Sequence, residues 1–420
     1  MLTLSKFKPS GTITIPSSKS HTIRALLIAA FAKGISYIKN PLQSEDTKSA
    51  IKILTSCGVL FTYNPSANVL TVDSTNLNLE NNPILDCGNS GTTLYLCLGL
   101  LASLNSPFTL TGDKQLCLRP ITPLVDAYKA LGVKVEEEKD HLPLTFTGKL
   151  KGGACSIVCK TSQYLSSLLL SLPLAEKESI IDCPLLYEKP YVGMTLSWLD
   201  KQNIKYEKSD DLAHYKIYPN QNYKPFNDFI PGDYSSATFF FCLAALTGST
   251  ITVNGLVKED SQGDKEVLTI LEKMGCLVIW EGTSVSVKGP KNLKGGHFDL
   301  NAIPDSIAAL AVTAAYATEP VYLENVANAR IKETDRIAVM KENLTSLKVK
   351  CEDTPDSLII YPTGVVHGGF VKGYEDHRII MAMAICSANS IEPITIDEEK
   401  AVDVTFPTFF SLLNLLKEAE

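Results

Sequence analysis

The chain has 420 residues, 45% of them apolar and 20% charged, with a formal net charge of −7. That is a globular composition, long enough for two or three domains. The acidic balance argues against nucleic acid as the main partner, since a phosphate backbone demands basic surface, but small anions need only local positive charge.

The first segment, Met1–Pro16, alternates like a strand and has no signal-peptide core. A run of small apolar residues follows, RALLIAAFA from Arg24, and then a strand-like run, ISYIKNPL. The pair recurs as LYLCLGLLA with SPFTLTG, YLSSLLLSLPLA with KESIIDCP, ATFFFCLAALTG with STITVNG, SIAALAVTAAYA with EPVYLEN and IIMAMAICSA with EPITIDE. The helix-like runs, near Arg24, Thr92, Tyr164, Ser236, Ser306 and His377, return about every 70 residues, which suggests six copies of one βαβ-containing unit. They are apolar all round and so read as buried helices. Ala, Ser, Gly and Cys recur in them and permit close packing.

Most units add an amphipathic helix: Thr122–Leu131, Tyr191–Leu199, Asp264–Met274 and Glu333–Leu344. Several add a further strand: GVKVEEE (132–138), NIKYEK, GCLVIWEG and LKVKCE. Three units are expected in each of two domains, one formed by 1–17 with 228–420 and the other by 18–227. No uninterrupted apolar stretch reaches membrane-spanning length. The 11 cysteines contain no CxxC pair and read as buried thiols of a reducing cytoplasm.

Polar residues collect at the helix starts. Lys19, Ser20 and Arg24 stand where unpaired N–H groups and the helix dipole favour an anion, although a capped helix with surface charges is the alternative. The loop Asp86–Thr93 contains Gly88 and Gly91, which allow backbone approach to a ligand. Arg119, before Pro120 at a prospective helix start, offers a guanidinium fork. Thr161 and Ser162 either cap the third helix or bind a further anion. Asp233 and Asp305 read most simply as caps; Asp305 could also take a proton from a hydroxyl. The densest stretch is Asn328–Arg336, in which Lys332 and Arg336 are expected on one helix face with Glu333 beside it. Tyr374–Arg378 opens the sixth helix with further charge. Together these suggest an active cleft that neutralises several negative charges.

The segments PSSKSHTIRALL, CGNSGTT, TGDKQLCLRP, KTSQYLSSLLL, PGDYSSATFF, IPDSIAALA, NARIKETDRIAVM and GYEDHRIIMAMA span almost the whole chain. In this order they resemble the 5-enolpyruvylshikimate-3-phosphate synthase family. The resemblance implies a two-domain, inside-out α/β barrel of six βαβαββ units with substrates bound between the halves. It implies transfer of the enolpyruvyl (1-carboxyvinyl) group from phosphoenolpyruvate to the 5-hydroxyl of shikimate 3-phosphate. Phosphate is released, on the route to chorismate and the aromatic amino acids. A cytoplasmic monomer is expected, with no metal, organic cofactor, nucleic acid or membrane partner.

By resemblance, Lys19, Ser20, Arg24, Thr161, Ser162, Gln163, Tyr191, Asp305, Asn328 and Lys332 bind shikimate 3-phosphate. Lys19, Gly91, Arg119, Gln163, Arg336 and Arg378 bind phosphoenolpyruvate. The catalytic residues are Asp305, which deprotonates the hydroxyl, Glu333, which protonates the methylene carbon, and Lys19. Two positions depart from the pattern: Tyr95 replaces an arginine that commonly follows the glycine loop, and Val404 replaces a ligand-facing lysine before Thr405-Phe406-Pro407. The related transfer to UDP-N-acetylglucosamine is the rival reading. That family's cysteine position holds Lys114 here, and its Lys-Asn pair is replaced by Lys19-Ser20. A catalytically inactive anion-binding protein is the other.

Overall fold

The computed structural model describes residues 1–136 and 140–417. The chain divides into two compact units, Met1–Pro16 with Pro231–Glu420, and Ser17–Ile230. Each contains three of the six expected helices. We label these α1 (Lys19–Ala30), α2 (Gly91–Ala102), α3 (Ser162–Ser171), α4 (Tyr234–Thr247), α5 (Ile307–Ala314) and α6 (His377–Cys386). All twelve residues of α2 and all ten of α6 are buried, as their apolar circumference requires. Within one unit α2 packs on α1 and α3; within the other α4, α5 and α6 pack pairwise.

Sheets surround each helix trio. Their strands alternate, as in Ile35–Lys39 and Ala154–Cys159, with buried residues facing the helices and exposed ones outward. Five sheets share one plan: a parallel pair, then an antiparallel hairpin on the second strand. Thus Ile84–Asp86 runs parallel to Phe108–Thr111, which pairs with Leu144–Gly148 and through it with Val133–Val135. With α2 and the helix Thr122–Ala130 this is a βαβαββ unit. The predicted strand 132–138 covers Val133–Val135, and its residues 137–138 lie outside the described residues. The sixth sheet has no hairpin of its own; Leu2–Leu4 pairs antiparallel with Ile394–Ile396 instead. Gly11–Thr14 pairs parallel with Thr250–Asn254, so the N-terminal segment is stitched into the C-terminal half.

Side chains cap five of the six central helices: Ser18, Ser90, Thr161, Asp233 and Asp376 each accept from a first-turn N–H. Two expectations need correction. Lys332 and Glu333 share no helix face with Arg336, because Asp335 accepts from Ala338 N and starts that helix at Arg336; Lys332 closes a 3-10 turn, Ala327–Ile331. Pro120 lies before, not at, the helix that begins at Thr122, where Pro123 takes the early position.

The small residues of the central helices work by close approach. A Cβ on Gly99 would lie 1.9 Å from Tyr128 Oη and 2.5 Å from Ser171 Oγ. That hydroxyl is bonded to Ser167 Oγ at 2.8 Å and Ser171 Oγ at 2.9 Å, so it has little freedom to retreat. Gly99→Ala should therefore destabilise the protein by about 1–3 kcal/mol despite alanine's helix preference, through overpacking. An unchanged guanidinium midpoint would contradict this.

Candidate active site

The parallel strand pairs decide which residues meet. Chain leaving two parallel neighbours emerges at the same sheet end, where ligands of open α/β sheets bind. In the unit containing α5 and α6, Gly296–Asp299 and Val321–Glu324 are such a pair, and the turns beyond them carry Asp305 and Asn328–Glu333. Gly369–Val371 and Ile394–Ile396 are another, followed by Asp376 and Arg378.

Arg336 lies at the centre of the resulting charge cluster, 1% exposed. Its Nε donates to Asp376 Oδ2 at 2.8 Å, its Nη1 to Asp305 Oδ1 at 2.8 Å, and its Nη2 to Glu333 Oε2 and Asp376 Oδ1. Asp305 also meets Arg378 Nη2 at 3.0 Å and Lys332 Nζ at 3.7 Å. Burial alone would push the Asp305 carboxyl up; Arg378, Lys332 and Arg336 outweigh it and hold it well below the usual carboxylate range. Burial would likewise lower Arg336, but Asp376, Glu333 and Asp305 raise it. Asp233, by contrast, accepts from Ser236 N and Oγ and is the cap its sequence suggests. No side chain caps the 3-10 turn Pro304–Ser306 or α5, so the cap reading fails for Asp305. Asp376 does both, capping α6 and holding Arg336. Asn328 is buried beside this cluster in the 3-10 turn.

The other unit holds a second polar set. Lys19 Nζ is 3.0 Å from Asp46 Oδ2. Arg24, 2% exposed, donates to Thr195 Oγ1 at 2.9 Å, to Ser20 O at 3.1 Å, to Tyr191 O at 3.2 Å and to Ser166 Oγ at 3.4 Å. Burial against these neutral oxygens lowers its pKa to about 10, still charged at neutral pH. Arg119 Nη2 donates to Asn89 Oδ1 at 3.4 Å, and Asn89 Nδ2 is fixed by Asp113 and Gln115. A Cβ on Gly91 would lie 2.5 Å from Arg119 Nη1, so the glycine makes room for the guanidinium. Tyr95 and Tyr164 both donate to Pro120 O, at 2.9 and 2.6 Å, anchoring the residue next to Arg119. The Tyr95 phenol thus tethers this turn.

At the start of α3, Thr161 Oγ1 accepts from Gln163 N, and Gln163 Oε1 is buried without a hydrogen-bond partner among the described residues. Thr161 Oγ1, Ser162 N and Ser162 Oγ all donate to one oxygen, Glu188 Oε2, at 3.2, 3.0 and 2.8 Å. Sequence reasoning missed Glu188, Asp46 and the holding role of Asp376. Asp46 is disguised as a first-turn acid after the Ser44 cap. Glu188 precedes Lys189-Pro190 and looks like an ordinary helix start; only strand register brings it to Thr161. Val404 ends the 3-10 turn Lys400–Val404, and Lys400 is exposed at its beginning. Among the described residues no cluster of three or more His, Cys, Asp or Glu side chains is arranged to hold a metal ion.

A carboxyl whose folded pKa lies below its unfolded value stabilises the fold above the unfolded value, about 3.9, and loses that contribution as pH falls through the folded one. Asp305→Asn should therefore cost about 3 kcal/mol at pH 7, because it leaves buried cations uncompensated. The gap to the wild type should begin to narrow only below about pH 4 and so be smaller at pH 3 than at pH 7. Urea unfolding at pH 7 and pH 3 reads both; equal stability at pH 7 would contradict the electrostatic reading.

The chain matches the model of the EPSP synthase (3-phosphoshikimate 1-carboxyvinyltransferase) family over residues 6–413. A 3-phosphoshikimate 1-carboxyvinyltransferase of Ruminiclostridium cellulolyticum is 42% identical over 410 residues, covering 97% of this chain and 96% of that protein. One of Methanococcus aeolicus is 33% identical over 408 residues, covering 95% and 94%. The solved EPSP synthase of Acinetobacter baumannii superposes with a TM-score of 0.81 at 26% identity, over 99% of this chain and 98% of that one. No helix among the described residues is long and apolar enough to cross a membrane. With its βαβαββ units and its polar helix starts, this chain belongs to the EPSP synthase family.

Proposed function

We propose that this chain transfers the enolpyruvyl group of phosphoenolpyruvate to the 5-hydroxyl of shikimate 3-phosphate, releasing phosphate. The observation that carries the reading is Asp305, a carboxylate held by Arg336, Arg378 and Lys332 and excused from capping its own helix. In this state it is a poor base, because three cations stabilise its anion. Phosphoenolpyruvate brings a phosphate and a carboxylate. As these take up Arg336 and Arg378, with Lys19, Arg119 and the space at Gly91, Asp305 loses cationic partners and its basicity rises.

Asp305 then accepts the 5-hydroxyl proton as that oxygen bonds to C2 of phosphoenolpyruvate, while Glu333 delivers a proton to C3. Loss of a C3 proton to a basic group, with Glu333 assisting, expels phosphate from C2 and restores the double bond. Shikimate 3-phosphate is held by Ser20, Arg24, Thr161, Ser162, Gln163, Tyr191, Asn328 and Lys332 on this reading. The two polar sets belong to different compact units of the chain. The 11 free thiols suit a reducing, cytoplasmic location.

Purified protein mixed with both substrates should release inorganic phosphate and the enolpyruvyl product in equal amounts. Product only with UDP-N-acetylglucosamine would overturn the substrate, and binding without turnover would overturn the enzymatic reading. Gly91→Ala should raise the KM for phosphoenolpyruvate about tenfold, equivalent to 1.4 kcal/mol, by shifting Arg119. The KM for shikimate 3-phosphate should change far less; the reverse order would contradict the assignment of Gly91 and Arg119.

A further inference from the structure

Glu188 stands where a substrate phosphate is expected. Its position follows from strand register: Ala154–Cys159 and Ser179–Leu186 run parallel with Cys159 opposite Leu186, so two residues further on Thr161 faces Glu188. Glu188 is 2% exposed. Its backbone is left-handed, φ 56° and ψ 40°, a conformation that side-chain-bearing residues seldom hold. It is the N-cap residue of Lys189–Lys201, yet its side chain makes no capping bond to that helix. One carboxylate oxygen instead accepts from Thr161 Oγ1, Ser162 Oγ and Ser162 N, two hydroxyls and a backbone N–H at the start of α3. Three donors converging on one anionic oxygen at a helix N-terminus is how proteins bind a phosphate oxygen.

We propose that Glu188 is an internal placeholder for the substrate's phosphate. Its carboxylate keeps the Thr161–Ser162 donors satisfied and ordered and must leave them before a phosphate can bind. Two anions cannot share one donor set at hydrogen-bond distance, because their repulsion is strongest where water is excluded. The residue therefore lowers affinity for the phosphorylated ligand and sets the selectivity of the subsite: only a ligand whose charge outcompetes a tethered carboxylate displaces it. The inference rests on the proposed assignment of Thr161 and Ser162 to the 3-phosphate.

The test is calorimetric titration of the full chain and of Glu188→Gln and Glu188→Ser with inorganic phosphate, shikimate 3-phosphate and shikimate. Both variants remove the charge; glutamine keeps the size, and serine keeps a small hydroxyl if glutamine does not fold. Inorganic phosphate and shikimate 3-phosphate should bind a variant about tenfold more tightly than the wild type, and shikimate should gain nothing. Phosphate binding that is equal or weaker in the variants would overturn the placeholder even if shikimate 3-phosphate is the substrate. An equal gain for shikimate would overturn it too, since the effect would not lie at the phosphate. Tighter inorganic phosphate with no binding of shikimate 3-phosphate to any of the proteins would support the placeholder and sink the substrate assignment alone.

Discussion

The interaction on which the site depends is the buried guanidinium of Arg336, which meets Asp305, Glu333 and Asp376 at once. Removing such charges from water is unfavourable, and only mutual compensation makes it tolerable. Asp305, Glu333 and Asp376 balance Arg336, Arg378 and Lys332 in the cluster described here. Such a balanced network is rigid but not inert. On the proposed reading an incoming anion takes over a cation that a carboxylate already holds, so that binding and activation of Asp305 are coupled. The same logic recurs at Thr161 and Ser162, whose donors hold the carboxylate of Glu188.

The repeated architecture explains why these groups gather. Each central helix begins after a strand with a parallel partner, which puts polar loops and helix N-termini at one end of each sheet. The same corner then serves different ends: Asp233 caps its helix, Asp305 pairs with cations, and Asp376 does both. The buried helices make this possible, since small residues such as Gly99 let neighbouring groups approach closely enough to fix the corners in place.

Much of this was legible in the sequence. Apolar periodicity located all six central helices, because a helix buried on every side leaves an unmistakable run such as ATFFFCLAALTG. Dense charge ahead of two buried helices singled out Glu333, Arg336 and Arg378, whereas Asp305, the one charge in IPDSIAALA, read most simply as a cap and was singled out only by the family resemblance. What stayed hidden depends on register or on local competition. Glu188 meets Thr161 only through a parallel strand pair, a relation no linear spacing reveals. Glu333 lies outside the helix of Arg336 because Asp335 captures the first-turn N–H, a contest between neighbours that helical periodicity does not resolve. Tyr95 read as the loss of a cation; its hydroxyl bond to Pro120 O is tertiary.

On the proposed reading, Asp305 competes with phosphoenolpyruvate for the same cations before it acts as base. Turnover and phosphoenolpyruvate affinity of Asp305→Asn, measured together, test it most directly. The account predicts that kcat falls by about a thousandfold, within the range of a lost general base, while the Kd for phosphoenolpyruvate tightens because Arg336, Arg378 and Lys332 have lost an internal rival. Near-normal turnover, or phosphoenolpyruvate binding that weakens, would contradict it.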